Sequence, residues 1–204
     1  MLDVLDRKIR QMHAALEALS SDDVLSVKPR VEITDRCMYV SIDFNACSDP
    51  IQLANMASLL IANIASLKDH LKVWCKSKNI PFNGESLINS NRSVALIHDL
   101  WNVDKHAELR SQSRSGQVPK LINLSKALSL STGTEPNSAV IYFMDPRTGQ
   151  MNVKSSGGGS AKIQLSGTIV DQAGNVLAEF NTACSEAVSA WEKELVVAGV
   201  PLPN

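Results

Sequence analysis

The sequence predicts an α+β fold: a central antiparallel helical hairpin, a helix at each end of the chain packed beside it, and antiparallel β-hairpins. Three observations carry this reading. Long segments place apolar residues at steps of three and four. Shorter segments alternate apolar and polar residues between turn signals. Strand-like segments follow one another as hairpins instead of alternating with helices, which argues against a parallel βαβ sheet. No internal repeat is visible.

The first helix spans about residues 2–19, with Leu2, Leu5, Ile9, Met12, Leu16 and Leu19 on one face, and Ser20-Ser21-Asp22-Asp23 ends it. Two extended segments follow, about 24–33 and 37–44, with Thr34-Asp35-Arg36 as the turn between them. Val40, Ile42 and Phe44 alternate with Ser41 and Asp43, as in a half-buried strand.

Ser48-Asp49-Pro50 combines a capping side chain, an acid and a first-turn proline, and so starts the next helix. That helix runs to about Lys78, and Lys72, Lys76 and Lys78 suit the negative end of its dipole. Residues 79–84, with Pro81, form a connector; the partner helix starts near Ser86 or Ser90, ends near Arg110 and has a break near Asn89.

Residues 111–116 form a polar loop, after which the apolar pattern becomes strand-like. Leu121, Ile122, Leu124, Leu128 and Leu130 mark one extended segment and residues 140–144 another. Asp145-Pro146-Arg147-Thr148-Gly149 is a hairpin turn, and Gly157-Gly158-Gly159 is read as a flexible loop. Residues 161–170 and 176–180 make a second hairpin. The last helix is capped by Asn181 or Thr182, faces its core with Cys184, Ala187, Val188, Trp191, Leu195 and Val196, and stops at Gly199 and Pro201.

Together these elements suggest one domain over residues 1–204. Its helical part covers about 1–110 with an N-terminal hairpin at 24–44. Its β-rich part covers about 119–180, and the terminal helix, 181–198, packs back. At 204 residues the chain can bury a sizeable core. With 44% hydrophobic and 20% charged residues it has the composition of a soluble globular protein. A net charge of −1 gives no general affinity for phosphate backbones, and 4% aromatic residues are too few for rows of base-stacking rings.

Cys37, Cys47, Cys75 and Cys184 form no Cys-x-x-Cys pair and have no zinc-finger spacing. The acids in Met1-Leu2-Asp3-Val4-Leu5-Asp6 do not suit a secretion signal, so reduced thiols in a cytoplasm are expected. Residues 51–67 are apolar, but Gln52, Asn55, Ser58, Asn63 and Ser66 interrupt them. A buried helix is expected there, with no membrane partner.

Chemistry-bearing side chains concentrate in His98-Asp99-Leu100-Trp101-Asn102-Val103-Asp104-Lys105-His106, and in Asp69-His70 of the preceding helix. Helical spacing places Asn63 and His70 on one stripe and His98, Asn102 and His106 on another, with Asp99 and Lys105 flanking. Across an antiparallel hairpin, Asn63 and His70 would face Asn102 and His106. Acid–base chemistry would then fall first to His70 and second to His106. The alternative is a buried polar network that fixes helix register.

A metal site is not expected. His98 and His106 stand about 12 Å apart along a helix, and no His-Glu-x-x-His occurs. No cofactor is implied: no Gly-x-Ser-x-Gly turn is present, and the triple glycine lacks the lysine of a phosphate-binding loop. Arg92 lies six residues before His98. Trp74, Trp101 and Trp191 fall on apolar helical faces and are expected to pack in the core.

Asn63-Ile64-Ala65-Ser66-Leu67-Lys68-Asp69-His70 and Leu100-Trp101-Asn102-Val103-Asp104-Lys105-His106 resemble two helical motifs of a family of uncharacterised bacterial proteins. Those motifs read approximately Asn-Leu-Arg-Ser-Ala-Leu-Asp-His and Asp-Lys-His. The first also resembles the signature of the HEPN superfamily, helical domains that act as metal-independent ribonucleases or as non-catalytic binding modules, often as dimers. The resemblance implies a general acid/base at His70, with Asp69 and Asn63 as polar companions. Ala65, however, stands where the superfamily carries arginine, so the cation that would stabilise transition-state charge is missing. The reading is therefore a non-catalytic HEPN-like interaction module that self-associates and contacts RNA or protein. The alternatives are a metal-independent ribonuclease using His70, Asp69 and His106, with Asn63, Arg92, His98, Asn102 and Lys105 as binding residues, or a purely structural protein.

Overall fold

The computed structural model describes residues 2–18, 20–21, 30–33, 38–41, 49–106, 113–144 and 151–202. The fold is α+β, and the chain packs as two compact units. The first comprises Met1–Ala18, Pro50–Leu124 and Ser166–Asn204; the second comprises Leu19–Asp49 and Ser125–Leu165.

The first unit is built on α1 (Leu2–Ala18), α2 (Pro50–Lys78), α3 (Gly84–Ser90), α4 (Arg92–His106) and α5 (Phe180–Val197). Periodicity explains α1: Leu5, Ile9 and Met12 lie on one stripe and are at most 2% exposed. α2 is the central helix. It buries Leu53, Leu60, Ile64, Leu67 and Leu71 on more than one side and packs against α1, α4 and α5. Among the described helices it is also the one long and apolar enough to cross a membrane, and 44% of its apolar window is buried against the rest of the chain. Asn79 ends it in the left-handed region (φ 55°). The Ile80 N–H donates to Cys75 O at 2.9 Å and the Asn79 N–H to Lys76 O at 3.3 Å, a Schellman closure. Gly199, with φ 71°, closes α5 in the same way.

The break between the later helices falls at Asn91, two residues beyond the expected Asn89. Asn91 is extended (φ −110°, ψ 113°), and its Oδ1 accepts the Val94 N–H at 3.0 Å. It thus ends α3 and caps α4. Asn91→Ala is expected to cost about 1 kcal/mol in urea unfolding, the usual worth of such a cap.

α5 differs from expectation at its start. It begins at Phe180, ahead of Asn181 and Thr182, and no side chain caps it. The preceding strand, β8 (Val176–Glu179), runs directly into it, and Phe180 is fully buried. Core packing at the junction therefore takes the place of a polar cap. Trp191 is buried on the same helix, and burying side chains of this size contributes about 1.5–3 kcal/mol each.

The strands are β1 (Ser20–Ser21), β2 (Arg30–Ile33), β3 (Met38–Ser41), β4 (Lys120–Ser131), β5 (Ala139–Met144), β6 (Met151–Ser156), β7 (Ser160–Val170) and β8. β2 pairs antiparallel with β3 (Arg30 opposite Ser41), and β5 with β6 (Ala139 opposite Ser156). The turns expected at 34–36 and 145–149 lie outside the described residues. The third sheet runs β1-β7-β4, with β8 also antiparallel to β7, and the boundary between the units falls within β4 and β7.

Gly157-Gly158-Gly159 is a tight turn instead of a flexible loop. Gly157 and Gly158 take φ 57° and 79°, and the Gly159 N–H donates to Ser156 O at 3.0 Å. Cys75 and Cys184 are free and buried; Cys37 and Cys47 lie outside the described residues.

Candidate functional site

α4 carries the motif, and the structure divides its residues between two tasks. His98 and Asp99 are buried, at 6% and 1% exposure, while Asn102 lies half-buried one turn on. The Asp99 carboxylate holds the loop that follows α4. It accepts from Ser113 Oγ at 2.7 Å, Ser115 Oγ at 2.7 Å, the Ser115 N–H at 2.8 Å and the Arg114 N–H at 3.1 Å. Ser113 also bonds the backbone of Gln117. An ionised carboxylate gains most from this kind of multiple donation, because charged acceptors form the stronger hydrogen bonds. Asp99 is thus a loop anchor.

His98 is bonded along its own helix: Asn102 Nδ2 lies 3.1 Å from His98 Nδ1. An amide nitrogen can only donate, so Nδ1 accepts and the ring proton of the neutral imidazole sits on Nε2. Nε2 is buried and has no hydrogen-bond partner among the described residues. Trp101 packs edge-on to the ring at 5.8 Å, and Lys105 lies over the Trp101 ring at 4.9 Å.

Beside His98 lies an ion network that the sequence reading missed. Glu85 of α3 meets Lys68 Nζ at 3.3 Å and Arg114 Nη2 at 3.2 Å, and Arg114 also donates to Asn89 Oδ1 at 3.0 Å. Burial alone would raise the Glu85 carboxyl, but Lys68, which bonds it, and Arg114 together hold it below the usual carboxylate range.

Burial lowers the His98 imidazolium below its ordinary 6.5, and Lys68 pushes the same way; Asp99 opposes both, and Arg114 lowers it further. The unfolded chain therefore takes this proton first. The stability tied to neutral His98 is complete above the unfolded value and is lost as pH falls toward the folded one. Urea midpoints should drop on acidification from above to below 6.5 in the parent protein, and drop less in His98→Gln. An identical drop in both would contradict this assignment.

The other candidates lie elsewhere. The expectation that Asn63 and His70 face Asn102 and His106 is corrected. Asn63 lines a cavity with Lys8, Gln11, Ala14, Ala15 and Leu59, so its stripe of α2 looks toward α1. His70, two turns on, has Lys8 and Arg7 of α1 as electrostatic neighbours, besides Asp69 of its own helix. Burial and Lys8 lower its imidazolium, and Asp69 opposes them. The reason is angular. α2 is packed on several sides, and it is Lys68, about 140° around from Asn63, that turns toward α3 and α4. His106 ends α4, just beyond Asp104, which lines a groove with Ala54 and Ser58 near the start of α2. His70 lies at least twelve residues further along α2, about 18 Å of helix. Arg92 is exposed and donates to the Leu177 carbonyl at 3.3 Å, away from His98.

That groove is a concave surface of the first unit. It has a volume of about 690 Å3 between α2 (Ala57 and Ile61), α4 (Leu100 and Val103) and the segment from Val118 through Leu124, with Ser58, Asp104, Lys120, Asp171 and Gln172 as its polar lining. Its β4 wall depends on Gly167 of β7. A Cβ at that position would lie 3.0 Å from Leu124 Cδ2 and 3.1 Å from Leu121 Cδ1, so the glycine gives both leucines their room. The wall begins at Val118, directly after the loop that Asp99 holds. The polar motif and the groove are therefore parts of one construction: Asp99 holds Ser113, Arg114 and Ser115, and the chain that follows supplies Val118, Pro119, Lys120, Leu121 and Leu124 to the groove's lining. Among the described residues no cluster of His, Cys, Asp and Glu could hold a metal.

No family model, curated protein or solved structure matches the chain.

Proposed function

We propose that the chain is a non-catalytic binding module whose α2–α4–β4 groove takes a small, predominantly apolar ligand. The observation that carries this is the groove itself. At about 690 Å3 it has the size of small-molecule sites, and nine of its fourteen described lining residues are apolar. The buried polar side chains of the α4 motif are spent on architecture: Asp99 on the loop and His98 on Asn102. Lys120 is the one cation among its described lining residues and shares the groove with Asp104 and Asp171, which disfavours a nucleic-acid backbone there. This is a binding-module reading of the HEPN-like resemblance, with the groove as contact surface. Titration with 1-anilinonaphthalene-8-sulfonate, an apolar ring system with one anionic group, tests it. One saturable site on the folded protein is expected. Absence of saturable binding would remove the proposal.

A second reading, a metal-independent ribonuclease, has one observation in its favour: Lys8 and Arg7 place cations near His70, which the Ala65 position does not supply. Incubating RNA with chelator separates the two. The binding-module reading predicts no cleavage by either the parent or His70→Ala. Cleavage by the parent that His70→Ala abolishes would transfer the assignment to the nuclease.

A further inference from the structure

Four charged groups act on the neutral His98 ring, and their charges balance. Lys68 comes from α2, Glu85 from α3, Arg114 from the loop and Asp99 from α4 itself. α5 also packs on α4, but its Glu186 is taken by Ser93 Oγ at 2.6 Å, and Lys105 of α4 lies over the Trp101 ring. With the ring neutral, two cations stand against two carboxylates. Protonation leaves one positive charge in excess at a ring only 6% exposed, where charges act on one another more strongly than in water. It also puts a hydrogen on Nδ1, which ends the donation that this atom accepts from the Asn102 NH2 group.

The surrounding groups differ in how firmly they are held. Asp99 already takes four donors from the loop. Lys68 is largely buried and bonds Glu85 at 3.3 Å. Arg114 is the member free to leave: its side chain is 36% exposed, and it reaches Glu85 at 3.2 Å from a loop instead of a helix. The backbone of that residue is one of the groups Asp99 holds, and the groove lining begins four residues later, at Val118. Resting on the groove reading above, we infer that His98 is a proton gate on the groove: a proton on its ring drives Arg114 from Glu85, slackens the loop that Asp99 holds and weakens ligand binding. His98, Glu85 and Arg114 are not among the groove's described lining residues, so the gate acts through the position of the loop and not by touching the ligand. The sign follows from the charge balance. Binding is strongest with His98 neutral and fades as pH falls through its titration, and by reciprocity the ligand disfavours the proton by the same factor.

The test is titration with 1-anilinonaphthalene-8-sulfonate at about pH 7.5 and about pH 5.5, at constant ionic strength and with the protein folded at both. The sulfonate stays ionised throughout. About fivefold weaker binding at the lower pH is expected in the parent and in His70→Ala, and about equal binding at the two pH values in His98→Gln. A second measurement needs no substitution. Followed by NMR, the His98 ring should titrate at lower pH with saturating probe than without, and the Arg114 and Ser115 amides should lose exchange protection as it protonates. Equal parent affinity at the two pH values, the same weakening in His98→Gln, or a His98 titration that the probe leaves unmoved would each overturn the gate and leave the groove standing. Absence of saturable binding at both pH values would remove the groove reading and the gate with it.

Discussion

Asp99→Ala is expected to lower unfolding stability by about 2–4 kcal/mol, because it removes a buried charged acceptor and strands the groups that donate to it. The carboxylate takes two serine hydroxyls and two backbone N–H groups of one short loop. Alanine leaves the Ser115 and Arg114 amides without that acceptor, and no other acceptor for them is seen among the described residues. Asp99→Asn should cost less, since one side-chain oxygen still accepts while the new NH2 group opposes the donors that used the other. Urea unfolding ranks the three proteins. A loss in Asp99→Ala below the roughly 0.5 kcal/mol typical of surface changes would show that the loop does not depend on this residue.

Filling the groove is expected to abolish ligand binding without unfolding the protein. Ser58 lies half-buried on α2 and borders the groove with Ala54, Leu100 and Val103. In Ser58→Phe the ring should occupy the space the ligand needs and bury itself against apolar walls, so stability should hold or rise. Loss of at least tenfold in affinity for 1-anilinonaphthalene-8-sulfonate is expected, a change of about 1.4 kcal/mol or more. Undiminished affinity would place the probe elsewhere on the molecule.

How far the sequence reached follows from which signals are local. α1 and α2 were legible nearly to the residue, because Leu5, Ile9 and Met12 keep helical spacing and Ser48-Asp49-Pro50 marks a start. The α5 boundary was not, because Phe180 enters the helix through tertiary burial, which no capping pattern encodes. The site was half legible. His98 and Asn102 do pair, at the i,i+4 spacing that a helix guarantees. The partnership of Asn63 and His70 with α4 failed because spacing tells which residues share a face but not which neighbour that face meets, and α2 meets several helices. Lys68, Glu85 and Arg114 come from three separate segments and left no pattern to read. Ser113 and Ser115 had a faint signal, two serines spaced to converge on one acceptor, inside a stretch that otherwise looks like an ordinary polar loop. Gly167 had one too: a glycine inside a strand marks a close approach, here that of Leu121 and Leu124.

The groove is expected to depend on the Asp99 carboxylate, which holds the loop in front of it. The direct measurement is 1-anilinonaphthalene-8-sulfonate affinity in Asp99→Asn, under conditions where both proteins are folded, with amide hydrogen exchange at Ser115 read in parallel. Faster exchange at Ser115 together with weakened probe binding is expected. Faster exchange with unchanged affinity would show that the groove stands without its anchor, and would contradict that dependence.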